Sequence, residues 1–175
     1  RLAVDRSFTL AGTGTVVTGT VLSGRVAVGD RVTVSPTGLA ARVRSIHAQN
    51  RRAERGSAGE RCALNLAGSG ISKDELHRGD VVTVPEAHAP TPRIDAALHV
   101  AAGAVKGITQ WMPARLHHAT AEVGARIVLL GDRKGEPGED TRVQLVLDAP
   151  IAARALDHFI LRDVSRAVRD YVMLR

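Results

Sequence analysis

Residues Gly12 to Gly19 read Gly-Thr-Gly-Thr-Val-Val-Thr-Gly, and this octet leaves the backbone few choices. Val and Thr branch at Cβ and favour extended chain. The glycines make the run a poor helix. Gly12, Gly14 and Gly19 permit tight bends or the close approach of another chain. A nucleotide loop is excluded, because the octet lacks both the Lys-Ser/Thr ending of a P-loop and the G-x-G-x-x-G spacing. Residues 15 to 22 are therefore predicted as a strand with glycine at its margins.

Short strands separated by turns continue from there. Residues 1 to 10 alternate in part, with Phe8 and Leu10 on one side. A turn over Gly24 to Asp30 leads to a strand over Arg31 to Ser35. Pro36-Thr-Gly38 turns the chain into a strand from Ala40 to His47, where Arg42 and Arg44 share a face opposite Ala41 and Val43. Asn50 to Glu60 reads as a loop, and Arg61 to Leu66 as a strand. Ser72-Lys-Asp-Glu75 is a capping box and predicts one short helical turn before Gly79. Asp80 to Val84 closes this first unit.

Pro85 to Pro92 carries three prolines, which disfavour helix and central strand and suit a stiff extended linker. Beyond it, strands are predicted over 93–100, 114–120, 125–130, 141–147, 159–164 and 171–174. Residues 103–112 read as a loop or a weak strand, and turns fill 131–138 and 152–157. No βαβ alternation is present. The pattern predicts an all-β chain of two consecutive small β-barrels, residues 1–84 and 93–175, joined by 85–92.

Aromatic residues are only 2% of the 175, so Val, Leu, Ile and Ala must fill both cores. The net charge of +6 favours a polyanionic partner. With few aromatics to stack on bases, recognition of nucleic acid would rest on backbone and shape. The single cysteine, Cys62, excludes an internal disulfide, reads as a core residue and fits a reducing cytoplasm. No apolar run approaches the ~20 residues of a membrane-spanning helix, so no membrane partner is expected.

On the strand from Arg61, the set Cys62, Leu64 and Leu66 should face the core. Arg61 then projects outward beside small Ala63, either as a solvated charge or as a binding group. Asp5 and Arg6 are a second candidate pair, in which the carboxylate can orient an arginine. His47 ends its strand. Arg42, Arg44, Arg51, Arg52 and Arg55 form a dense basic cluster suited to phosphate, with Lys106 and Arg115 as further charges. His117 and His118 are adjacent on a strand, point to opposite faces and cannot easily share a metal. No metal site and no catalytic constellation is expected.

The octet, followed by Gly24, Val28-Gly29-Asp30 and Arg78-Gly79-Asp80, resembles the second domain of the translational GTPases. In the elongation factor Tu group that domain is a β-barrel beside the GTPase domain and holds the aminoacyl end of tRNA. Three runs narrow the resemblance to the selenocysteine-specific elongation factors: Ala3 to Phe8 (AVDRSF), His47 to Asn50 (HAQN) and Ala58 to Asn65 (AGERCALN). It covers most of the chain and is strongest over 1–84. It implies a tRNA-binding fragment, domains two and three, of a protein that delivers selenocysteinyl-tRNA to the ribosome at UGA codons. GTP and magnesium would be held by a preceding domain absent here, and the fragment itself would need no cofactor. Its partners would be selenocysteinyl-tRNA, the ribosome and the GTPase domain of the same chain, in the cytoplasm.

The resemblance also assigns residues. Asp5, Arg6 and Arg61 would line the aminoacyl pocket with His47 near them. The general elongation factor has asparagine where Arg61 stands. A thiol of pKa near 8.5 is only about 3% ionised at pH 7. A selenol is a stronger acid and is mainly an anion there, so guanidinium groups would select it over thiol and hydroxyl. By the resemblance His118 and Thr120 would contact tRNA, and on charge alone Arg42, Arg44, Arg51 and Arg52 are the further tRNA-binding candidates. The tail Ala167 to Arg175 departs from the Gly-rich stretch of the family, which leaves the closing strand open. Two alternatives stand beside this reading: the same domains of a general translational GTPase, and a β-barrel module that docks proteins.

Overall fold

The computed structural model describes residues 1–131 and 135–164, and the backbone of Tyr171–Met173. The strands, in chain order, are β1 (Leu2–Leu10), β2 (Gly14–Val21), β3 (Arg25–Ala27), β4 (Arg31–Ser35), β5 (Leu39–Ala48), β6 (Arg51–Ala53), β7 (Arg55–Ser57), β8 (Arg61–Ala67) and β9 (Val81–Thr83). They continue as β10 (Thr91–His99), β11 (Met112–His118), β12 (Ala121–Leu129), β13 (Asp140–Ile151), β14 (Ile160–Asp163) and β15 (Tyr171–Met173). The chain is all-β, and its helical element among the described residues is one 3-10 turn, Pro85–Ala87. No helix among them is long and apolar enough to cross a membrane.

The chain divides into two units, Arg1–Pro90 and Thr91–Arg175. In the first, the antiparallel pairings β4-β9-β1-β2-β8-β5 close through β4–β5 into a six-stranded barrel, and β6 extends it beyond β5. Its core is aliphatic: Leu2, Val4, Val17, Val34, Ile46, Leu64 and Leu76 are at most 2% exposed. In the second, the order β10-β13-β12-β11-β14-β15 surrounds a core built on Leu98, Leu116, Leu145 and Leu161.

The Gly-rich octet is a turn plus β2. Gly12 and Gly14 take φ +75° and +98°, and a Cβ on Gly19 would overlap the carbonyl oxygen of Ala3. Gly19 lies opposite Val4, where β1 bulges between Val4 and Arg6 and the two backbones close in.

Three expectations need correction. Asn50 to Glu60 is not a loop: Gln49 and Asn50, at φ 51° and 63°, turn the chain so that β6 pairs with β5. That is a two-residue hairpin turn of the type in which both residues have positive φ. β7 then pairs with β3, which occupies the stretch expected as a turn after Gly24. Second, Ser72 to Glu75 forms one turn, Glu75 N donating to Ser72 O at 3.3 Å, and no helix. Leu76 drops into the core there, and Asp80 Oδ2 accepts the His77 N–H at 2.7 Å, redirecting the chain. Third, Ala119 and Thr120 are a hairpin turn, with Ala119 at φ 50°, rather than the end of a strand.

Pro92 lies within β10, at a break in register between Thr91 and Arg93. A bulge tolerates a residue with no N–H to donate. β12 and β13 run longer than expected, β13 through Ile151, whereas β14 is shorter, Ile160–Asp163. Residues 132–134 of the expected polar turn, and 165–170, 174 and 175 of the tail, lie outside the described residues.

Candidate aminoacyl pocket on the first barrel

The bulge in β1 sets the site. Inserting one residue puts Asp5 and Arg6 together on the outer side of the barrel, where strict alternation would have separated them. Asp5 Oδ1 accepts the Thr18 hydroxyl of β2 at 2.6 Å, and Asp5 Oδ2 accepts Arg61 Nη1 of β8. Asp5 is 19% exposed and Arg61 55%. Burial pushes the Asp5 carboxyl up, but hydrogen bonds from Arg61 and Thr18 and the charges of Arg61 and Arg6 outweigh it and hold it below the usual range. The bond to Asp5 in turn raises the pKa of Arg61.

Register carries the site across the sheet. Arg6 faces Thr18, Thr18 faces Ala63, Ala63 faces His47, and His47 faces Arg52. This row crosses five strands on the outer surface, with Arg6, His47 and Arg52 exposed. Small Ala63 leaves room beside Arg61. One corner of the Arg61 fork is held by Asp5, and its other N–H groups are free to meet an anion.

Asp5, Arg6, Arg61, His47 and Arg52 thus come together. Arg51 is exposed at the hairpin turn, and Arg42 and Arg44 lie toward the other end of β5. His118 and Thr120 belong to the second unit. His118 is 4% exposed, with Nε2 3.0 Å from Asp157 Oδ2, which also accepts the Arg154 N–H at 2.9 Å. That ring therefore ties the 154–157 turn to β11. Thr120 Oγ1 is buried and has no partner among the described residues.

Sequence reasoning missed four residues. Thr18 sits on the outer parity of β2 and aims Asp5, a role the parity alone hinted at. Lys73, His77 and Arg78 line an open groove of about 610 Å³ with Asp5 and Arg6. Only the fold brings residues 73–78 against β1, through Ser7 Oγ donating to Leu76 O at 2.5 Å.

Residues 14–83 match the family model described as Elongation factor Tu domain 2, and residues 94–168 match Selenocysteine-specific elongation factor, beta-barrel domain. The selenocysteine-specific elongation factor of Escherichia coli is 40% identical over 94% of this chain and 25% of its own length. That of Desulfomicrobium baculatum is 34% identical over 94% and 26%. Elongation factor 1-alpha of Ignicoccus hospitalis is 35% identical over 73% and 28%. The crystal structure of a bacterial selenocysteine-specific elongation factor matches the fold with a TM-score of 0.80 at 23% identity, covering 99% of this chain and 27% of that one.

Fold and matches together define paired β-barrel domains of the elongation factor Tu kind. Within that class, the chain belongs to the selenocysteine-specific elongation factor family. It spans about a quarter of the length of these relatives. The residues present do not fit a nucleotide–magnesium site. The Gly-rich octet is a turn and strand, and among the described residues no group of three His, Cys, Asp or Glu could hold a metal.

Proposed function

We propose that this chain is the tRNA-holding part of a factor that delivers selenocysteinyl-tRNA to the ribosome at UGA codons under the control of GTP. The first barrel, residues 1–84, holds the aminoacyl end, and the second, 93–175, grips the tRNA body, with 85–92 between them. The observation that supports this most directly is the Arg61 guanidinium, fixed by Asp5 and Thr18 beside Arg6, His47 and small Ala63.

Held in that way, Arg61 meets a selenolate with little reorganisation. Charge-assisted hydrogen bonds contribute about 1.5–3 kcal/mol each. Two of them favour the anion over a neutral hydroxyl by roughly 100-fold or more. Serine, unionised at neutral pH, forgoes that gain. Arg42, Arg44, Arg51 and Arg52 add phosphate contacts on the first barrel, and the exposed backbone at Ala119, between His118 and Thr120, does so on the second, the His118 ring being buried against Asp157. GTP and magnesium act in another part of the whole protein.

The test is a titration of the whole protein, loaded with GTP, against one tRNA charged with selenocysteine or with serine. Tighter binding of the selenocysteinyl form, largely removed by Arg61→Ala with the seryl complex spared, is the expected result. Equal binding of both forms by the unsubstituted protein sinks the reading.

A further inference from the structure

At the far end of β5 from the pocket, two arginines face each other. Arg31 of β4 is the direct cross-strand partner of Arg42 of β5, and both are exposed. The next pair along, Val32 and Ala41, is buried, so the two guanidinium groups share the outer surface. Side chains directly opposite lie with Cβ atoms about 4.5–5.5 Å apart, and like charges there are destabilising. The position is fixed from behind: Gly29 N donates to Val43 O at 2.8 Å, Val43 N to Asp30 O at 3.0 Å, and Arg42 Nη1 to Gly29 O at 3.2 Å.

A third guanidinium joins them. β5 breaks register between Val43 and Ser45, and the extra residue is Arg44, also exposed. The nearest acid in sequence, Asp30, is committed to its own turn, its Oδ2 accepting the Ala27 N–H at 2.8 Å. Arg42 faces small, uncharged Ala67 on β8. Among the described residues none of the three arginines forms an ion pair with a carboxylate. Concentrated positive charge without an internal counter-charge is a binding surface for an anion that spans it.

We infer that Arg31 and Arg42, with Arg44 beside them, form a clamp for the phosphodiester backbone of RNA, separate from the aminoacyl pocket. Ala67 stands six residues from Arg61 along β8, roughly 20 Å at about 3.3 Å per residue. The clamp therefore meets the body of an RNA, not the aminoacyl group. Each planar fork matches a phosphate with two parallel N–H donors. A phosphate between the forks removes the repulsion that the free chain carries. The inference rests on the chain being an RNA-binding module, and it adds Arg31, which sequence reading passed over.

The experiment uses the 175-residue chain and two ligands, an uncharged tRNA and an RNA duplex unrelated to tRNA. Affinity is followed across a salt series for the unsubstituted chain, Arg31→Gln, Arg42→Gln and the double variant. Each lost phosphate contact should flatten the slope of log K against log salt by about 0.7–0.9, and the double variant by about twice that. Flattening with both ligands assigns the clamp to RNA backbone in general, and flattening with tRNA alone assigns it to the tRNA body.

An unchanged slope in a double variant that still melts cooperatively overturns the clamp. Should the double variant fail to fold, Arg31→Lys against Arg31→Gln decides. A clamp keeps most of its slope with lysine and loses it with glutamine, whereas equal slopes overturn it. Selenocysteinyl-over-seryl preference in the whole protein reads the Arg61 pocket independently, so the two ideas can fail separately.

Discussion

Asp5 holds the Arg61 guanidinium in place, and in the proposed pocket it need not touch the ligand. Its two carboxylate oxygens are divided between Thr18 and Arg61, so removing the charge frees the guanidinium from its aim. Asp5→Asn in the whole protein should therefore erode the preference for selenocysteine and leave the seryl complex nearly unchanged, measured in the same titration. The charge also links stability to pH. The folded-state pKa lies below the unfolded value of about 3.9, so the contribution is complete above that value and is lost as pH falls through the folded one. The difference in melting temperature between the chain and its Asp5→Asn variant should be constant from neutral pH down to about 5, and should close on further acidification. Strand alternation was enough to send Arg61 outward opposite Cys62. The partner of its guanidinium was not readable that way, because Asp5 and Arg61 are 56 residues apart and meet through a bulge.

Among the elements, β1 and β2 depend most on one position. Gly19 has no room for a side chain against the Ala3 carbonyl. Gly19→Ala should push the strands apart at the bulge that presents Asp5 and Arg6. We expect a loss of about 1–3 kcal/mol, the usual cost of forced overpacking, measured by urea unfolding. The Val- and Thr-rich strands were legible because their composition and alternation agree. β6 and β7 were not, because arginine occupies positions where β-branched residues would mark a strand. What makes them strands is a hairpin turn with positive φ at Gln49 and Asn50, and pairing to β5 and β3 that only the closed fold supplies. The capping box misled for the converse reason. Its local preference for a helix lost to the burial of Leu76 and to the hydrogen bond of Asp80 with His77 N–H.

At the level of the whole chain, each unit owns a separate aliphatic core. The all-β class was readable, since turn residues and short strands recur along the sequence. The order of strands was not, because the closed ring pairs β9 with β4, β1 with β9 and β2 with β8, at separations no local pattern encodes. Residues 1–90 expressed alone should fold and melt in one cooperative transition, seen by circular dichroism. A gradual, non-cooperative melt would show that the first core is insufficient by itself. A chain of this net charge should also lose affinity for RNA steeply with salt.

The pleat of β8 separates two reactive elements by one residue. Cys62, the only cysteine, is 1% exposed on the inner side of the strand, and burial followed by the Glu60 charge pushes its thiol pKa up. Gly56 lies so close over it that a Cβ there would overlap the sulfur. A selenolate held by Arg61 would rest on the outer side of the same strand. Selenolates and thiols readily couple under oxidation into a selenium–sulfur bond, which would strand the cargo on its carrier. On the proposed reading, the sheet itself would stand between the two atoms and would shield such a carrier from covalent capture of its cargo.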